Sequence, residues 1–166
     1  IPEHGSTKIN IPIEATYDLG MLIGIFIGDG SIKPIGKGQV CVSCGHDEAY
    51  ANYCIKSVLE VFGIEGKILS VKSSSSGREE LVATWYSRAF SDWLSFFICD
   101  GSYEKTIHID YVEMNEGFRK GLLAGLIQSD GSCKGQLEFT TSIQRNAEVF
   151  SLLSKSLGLV TRYDYT

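Results

Sequence analysis

An apolar helical segment that ends in Asp-Gly-Ser occurs twice in this chain, and this repetition constrains the fold more than any other feature. Residues 22–31 and 123–132 are identical at five of ten positions, and they begin 101 residues apart. A second pair of amphipathic segments, residues 50–63 and 145–158, repeats at an offset of 95 residues. Two matched pairs in the same order and at nearly the same spacing indicate a duplicated unit.

Each copy predicts the same order of elements, so the sequence predicts an α+β fold built from two repeats. The first repeat comprises a helix over 17–28, a hairpin over 33–36 and 39–44, a helix over 47–62 capped by Asp47, a hairpin over 65–71 and 80–86, and a helix over 87–97. The second comprises a helix over 115–129, a hairpin over 132–142, a helix over 144–157 and a strand from Val160.

The boundaries that follow are an N-terminal flank over 1–16, a first repeat over 17–100, a linker over 101–112 and a second repeat over 113–166. The first repeat continues for 69 residues past its aspartate, and the second for 36 residues. We therefore expect the second repeat to be incomplete here and the sequence to be cut from a longer polypeptide.

Composition limits the class of protein before any motif is considered. The 43% apolar share is enough for a packed core, and no apolar run reaches the ~18 residues of a membrane span. Five cysteines without a framework spacing indicate an intracellular, reduced protein, cytoplasmic or associated with the nucleoid. The net charge of −5 argues against nucleic acid as a partner, although it leaves room for a local basic surface.

The two repeated helices carry small residues four positions apart, Gly24 and Gly28 in one and Gly125 and Ser129 in the other. Small residues at this spacing lie on one face and let two helix backbones approach closely. We therefore expect the two helices to pack side by side as the pseudo-twofold seam of the duplicated domain. Each helix is predicted to end at its Asp-Gly dipeptide, with the glycine in the left-handed conformation.

Asp29 and Asp130 occupy the last turns of these helices, where the helix dipole disfavours a carboxylate. Parallel packing would bring the two carboxylates together, which favours a cation between them, and oxygen ligands with water suit Mg²⁺. The alternative is that Asp-Gly is only a good turn dipeptide. The repetition at matched positions favours the metal site.

The segments LIGIFIGDG at 22–30 and LLAGLIQSDG at 122–131 resemble the two motifs of the LAGLIDADG, or dodecapeptide (DOD-type), homing endonucleases of the single-chain type. The second segment matches the motif in seven of nine letters and the first in four. The resemblance implies a duplicated αββαββα fold in which two β-sheets form a saddle on duplex DNA. It also implies that Asp29 and Asp130 bind divalent metal, and that Lys105, in the segment before the second motif, is a catalytic residue.

This resemblance implies a site-specific homing endonuclease that hydrolyses both strands of duplex DNA with Mg²⁺. It further implies a monomer with pseudo-twofold symmetry, and a host polypeptide if the chain is the endonuclease domain of an intein. The splicing residues of an intein are absent from both ends of the sequence. The alternative function is a DNA- or RNA-binding protein of the same origin, a regulator or maturase-like protein, that does not cleave.

The candidate DNA-binding residues fall on predicted strands and hairpin turns, whose polar face would meet the major groove. They are Lys33, Lys37, Lys67, Lys72, Arg78, Lys134, Gln136 and Arg162. The alternative is an ordinary solvated sheet face. The aromatic residues Trp85, Tyr86, Phe90, Trp93, Phe96 and Phe97 are interpreted as core beneath the first sheet.

Overall fold

The computed structural model describes residues 8–33, 38–72, 77–99 and 104–162. Its elements in chain order are α1 Tyr17–Gly28, β1 Gly30–Ile32, β2 Gln39–Ser43, α2 Glu48–Phe62, β3 Lys67–Lys72, β4 Glu79–Tyr86, α3 Arg88–Ile98, a 3-10 turn Ile109–Glu113, α4 Glu116–Asp130, β5 Gly131–Ser132, β6 Glu138–Phe139 and α5 Gln144–Ser156. The described residues of 1–13 and 29–96 form one compact unit, and those of 14–28 and 97–162 form another.

The predicted helices are confirmed, with ends that shift by at most one residue because of their caps. The Asp47 carboxylate accepts the Tyr50 N–H at 2.9 Å and so begins α2. Asn115 caps α4 in the same way through the Phe118 N–H, also at 2.9 Å, so α4 starts at Glu116. Gly63 ends α2 with a φ of +68°, as the sequence pattern of an amphipathic helix followed by glycine indicates.

The predicted left-handed glycines at the ends of the two motif helices are wrong. Gly131 has extended backbone, with φ −113° and ψ −178°, and it is the first residue of β5. Gly30 likewise begins β1. A side chain at Gly131 would lie 2.6 Å from the Ile127 carbonyl oxygen, so glycine is required there by space rather than by conformation. Each motif helix therefore passes almost directly into a strand, with its aspartate at the junction.

The predicted packing of α1 against α4 is confirmed within the second unit. The two helices run in the same direction, since Gly20 lies against Phe118, Gly24 against Leu122, and Gly28 against Ser129. A Cβ placed on Gly24 would lie 2.6 Å from the Leu122 carbonyl oxygen, so the backbones touch. Eight of the twelve residues of α1 are buried.

Four antiparallel strands form the sheet of the first unit in the order β1-β2-β4-β3. Val40 and Val42 of β2 stand opposite Trp85 and Ala83 of β4, and all four side chains are fully buried on one face. Helix α2 packs against β3 and β4. Trp85 meets Phe90 edge to face, with a ring separation of 6.3 Å.

Two of the aromatic residues interpreted as core are instead exposed. Tyr86 is 57% exposed because it follows buried Trp85 on a strand, where successive side chains point to opposite faces. Phe96 is 78% exposed because α3 buries Phe90, Leu94 and Ile98, which share the other side of the helix.

The second unit carries a smaller sheet than its predicted hairpin indicates. Strands β5 and β6 are two residues each, and they pair antiparallel through Gly131 with Phe139 and Ser132 with Glu138. The strand expected from Val160 is wrong for the residues that the structure describes, since 157–162 contain no strand. In the described ranges, none of the helices combines the length and apolar character that crossing a membrane requires.

Replacing Gly125 with alanine is expected to lower the free energy of unfolding by about 2–3 kcal/mol, because the new methyl group would overlap the Met21 carbonyl oxygen of α1. Gly117→Ala in the same helix is the matched control. Among the residues that the structure describes, a Cβ there meets the Asn115 Oδ1 alone, at 3.3 Å, so the change should stay below about 1 kcal/mol. Urea unfolding of both variants measures the difference, and equal effects would contradict the tight seam.

Candidate functional site

Asp29 is held in the first unit by contacts to both its main chain and its side chain. Its carbonyl oxygen accepts the Ser43 N–H at 3.1 Å, which extends the pairing between β1 and β2. Its carboxylate oxygen Oδ2 accepts the Tyr50 hydroxyl at 3.1 Å. Asp29 is half-buried, and the hydrogen bond from Tyr50 orients its carboxylate.

Tyr50 reaches Asp29 from the first turn of α2. The pKa of its hydroxyl lies well above the ordinary value of a tyrosine. Burial raises the pKa of Tyr50 most, and the neighbouring Cys54 thiol and Asp29 carboxylate raise it further. Beside Tyr50, the Cys44 and Cys54 thiols hydrogen-bond to each other. That bond lowers the pKa of Cys44 and raises the pKa of Cys54.

Asp130 is the last residue of α4 in the second unit and is exposed. Its carbonyl oxygen accepts the Thr140 N–H at 3.3 Å, so its main chain is tied to the residue after β6. A Cβ placed on Gly28 would lie 3.1 Å from the Asp130 Oδ2, and it would overlap the Ser129 side chain. The C-terminal ends of α1 and α4 therefore meet at Gly28.

Lys105 lies at the same place in the second unit. Its side chain is half-buried, and its Nζ donates to the Gly28 carbonyl oxygen at 2.5 Å. An ammonium group at the C-terminal end of α1 is favoured by the helix dipole. The structure thus brings two of the predicted catalytic residues, Lys105 and Asp130, to the same glycine.

Asn146 holds the segment that carries Lys105, and the sequence analysis missed it. This side chain of α5 is 3% exposed. Its Oδ1 accepts the Ile107 N–H at 2.9 Å and the Thr106 hydroxyl at 3.3 Å, while its Nδ2 donates to the Lys105 carbonyl oxygen at 3.2 Å. The available signal was an amide on the apolar face of α5, three residues before buried Val149.

The chemistry of the two aspartates fits a divalent metal of the Mg²⁺ type. Carboxylate oxygens are the ligands that Mg²⁺ prefers, and this ion commonly takes only one or two protein carboxylates beside water and phosphate. Across the described ranges, three or more His, Cys, Asp or Glu side chains never gather into a group that could hold a metal. The residues present therefore suit an ion that keeps water and substrate ligands rather than a closed protein cage.

The face of the first sheet opposite to Trp85 carries two of the candidate DNA-binding lysines, Lys33 and Lys67. The strand register aligns Ser31, Cys41, Thr84 and Lys67 in one row on this face; Ser31 and Lys67 at its ends are exposed, whereas Cys41 and Thr84 between them are buried. The next row contains Lys33, whose N–H donates to the Gln39 carbonyl oxygen, followed by Gln39 and exposed Tyr86.

Lys67 and Lys72 lie on opposite faces of the sheet, although both belong to β3. Five residues separate them, and side chains alternate along a strand, so Lys72 belongs to the face that carries Trp85. Lys72 is exposed because it ends the strand opposite Glu79. The two lysines are therefore not equivalent as candidates for DNA contact.

The remaining candidates are scattered over loops and ends. Lys134 and Gln136 are exposed between β5 and β6, where the Gln136 amide donates to Glu138 at 2.9 Å. Arg78 is exposed before β4, and Arg162 is exposed beyond α5. Lys37 lies outside the described residues.

The raised pKa values of Tyr50 and Tyr111 predict a loss of stability in alkali. Burial is the main cause for both hydroxyls. Above about pH 10 these groups ionise in the unfolded chain but not in the folded one, so the free energy of unfolding falls as pH rises. The slope is at most about 1.4 kcal/mol per pH unit for each tyrosine, and less for the partly exposed Tyr50.

Urea unfolding at pH 9 to 11 measures this loss for the protein and for the Tyr50→Phe and Tyr111→Phe variants. Each variant should show a shallower decline than the parent protein. Tyr86→Phe is the control, because Tyr86 is 57% exposed on the sheet. A decline that is identical in all three variants would contradict the raised pKa values of Tyr50 and Tyr111.

Comparison with known proteins agrees with this architecture. Residues 16–92, a little under half of the chain, match the family model of the LAGLIDADG-like domain. A solved structure of the homing endonuclease I-WcaI bound to its DNA recognition sequence matches with a TM-score of 0.52 and 15% identity, over 89% of this chain and 69% of that one. No curated protein matches the sequence. The chain thus has the mixed α+β fold of the LAGLIDADG homing endonucleases.

Proposed function

We propose that this chain is a site-specific endonuclease that hydrolyses both strands of duplex DNA, with divalent metal held by Asp29 and Asp130. One observation carries the proposal. Gly28, the residue directly before Asp29, accepts a hydrogen bond from the Lys105 ammonium and lies against the Asp130 carboxylate. A turn-forming role for Asp-Gly explains neither the lysine nor the orientation of Asp29 by Tyr50.

Mg²⁺ is the metal we propose, since the two carboxylates supply oxygen ligands only. When bound, a divalent ion polarises a phosphate oxygen and lowers the pKa of water. Asp29 and Asp130 would hold this charge. Lys105 would place a positive charge beside the phosphate that gains negative charge in the transition state.

Duplex DNA is the proposed partner, bound on the sheet face opposite to Trp85 through Lys33, Lys67 and the exposed Ser31 and Tyr86 of the same face. The net charge of −5 does not oppose this, because acidic residues such as Glu48, Glu60 and Glu148 are exposed on helices α2 and α5. We propose that the chain acts as a monomer, since it contains both motifs, and that it acts inside the cell, where its substrate is found. Its origin within an intein stays a prediction.

Asp29→Asn and Asp130→Asn are expected to abolish metal-dependent cleavage while leaving DNA binding intact or slightly tighter, because each removes one negative charge near the phosphates. Cleavage sites would first be selected from a randomised duplex library in MgCl₂, and cleavage and gel-shift assays would then use the selected site. Asp92→Asn is the control, since Asp92 is an exposed residue of α3 that pairs with Arg88 at 3.7 Å. Selective binding without any cleavage by the unaltered chain would favour the non-cleaving regulator instead.

Lys67→Ala is expected to weaken duplex binding and to reduce the slope of log K against log [salt] by about 1, the effect of one lost phosphate contact. Lys72→Ala should change the slope less, because Lys72 lies on the other face. The matched control is Lys56→Ala on α2, where the lysine is 76% exposed and pairs with Glu60. Equal slopes for all three variants would exclude the sheet as the DNA-binding surface.

A further inference from the structure

We propose that Tyr50 is a positioning residue for the Asp29 carboxylate and makes the two motif aspartates unequal as metal ligands. This inference rests on the proposed function, because it concerns the same metal. The Tyr50 Oη donates to the Asp29 Oδ2 at 3.1 Å, and the Ser43 N–H fixes the Asp29 main chain. Asp29 is thereby oriented before any ligand arrives.

Tyr50 can act in this way because it is itself held firmly. Its backbone N–H is bound by the Asp47 carboxylate that caps α2, and the next residue, Ala51, is fully buried. The phenol therefore reaches Asp29 from the first turn of a capped helix. It can donate one hydrogen bond to a carboxylate without supplying charge.

The second copy of the repeat lacks this arrangement. The alignment of residues 50–63 with 145–158 places Arg145 at the position of Tyr50. Arg145 is exposed, and so is Asp130. Over the part of the chain that the structure describes, the Asp130 carboxylate has neither a hydrogen-bond donor nor an ion-pair partner. The main chains of the two aspartates are anchored alike, through Ser43 and Thr140, so the difference lies in the side chains.

This difference has a consequence for metal affinity. A hydrogen bond from outside the ligand sphere orients a metal-binding carboxylate, and its loss commonly weakens affinity by 10- to 100-fold. The Asp29 carboxylate, oriented by Tyr50, needs less ordering than the exposed Asp130 carboxylate when a metal binds. Asp29 is therefore the stronger ligand of the pair, and Tyr50 is the reason.

The experiment is a Mn²⁺ titration of the DNA-free protein, in which electron paramagnetic resonance reports the free ion. Tyr50→Phe removes only the hydroxyl oxygen and should weaken Mn²⁺ binding roughly tenfold. Tyr53→Phe, three residues further along α2, is the matched control and should leave the affinity within about twofold. Asp29→Asn should weaken binding more than Asp130→Asn does.

Thermal melting without metal separates positioning from a structural role. Tyr50→Phe should melt within a few degrees of the parent protein, while the stabilisation by added MnCl₂ should shrink. Mn²⁺ binding that depends on Asp29 but is unchanged in Tyr50→Phe would overturn this inference and leave the proposed function standing. Mn²⁺ binding that depends on neither aspartate would overturn both this inference and the proposed function.

Discussion

The contact between the backbones of α1 and α4 is the constraint on which the rest of the second unit depends. At Gly24 and Gly125 each helix meets main-chain atoms of the other, so even a methyl group would push the helices apart. Glycine is a poor helix former, costing about 1 kcal/mol relative to alanine, and the buried apolar surface of both helices offsets that cost. This contact holds the C-terminal ends of the two helices side by side, where Gly28 meets Ser129 and Asp130.

The abrupt change from helix to strand places chemistry at the helix ends. In both copies the carbonyl oxygen of the motif aspartate accepts an N–H group from the second strand of its hairpin or the residue after it. The donor is Ser43, the last residue of β2, in the first copy and Thr140, the residue after β6, in the second. The main chains of both aspartates are therefore held by equivalent hydrogen bonds, as expected of a duplicated unit. Their side chains differ, since only Asp29 has a tyrosine hydroxyl within hydrogen-bond distance in the described structure.

Basic and acidic residues of the first unit lie on different surfaces of that unit. Alternation along the strands separates Lys33 and Lys67 from the buried face, and it also places Tyr86 in solvent. Acidic residues of α2, such as Glu48 and Glu60, are exposed on a helix that packs against the other face. A net charge of −5 is thus compatible with a sheet face that carries lysines.

The sequence by itself determined the helices, the duplication and the close seam, because periodicity, caps and glycine spacing are local signals, as at Asp47 and Asn115. It predicted Lys105 and Asp130 as candidates, but only the fold could bring both to Gly28. Contacts across long chain separations, such as Asn146 with Ile107 and Tyr50 with Asp29, depend on how whole elements pack. The extended conformation of Gly131 also depends on the tertiary structure. Backbone atoms of Ile127 and Glu138 surround this glycine, whereas the Asp-Gly dipeptide by itself favours a turn.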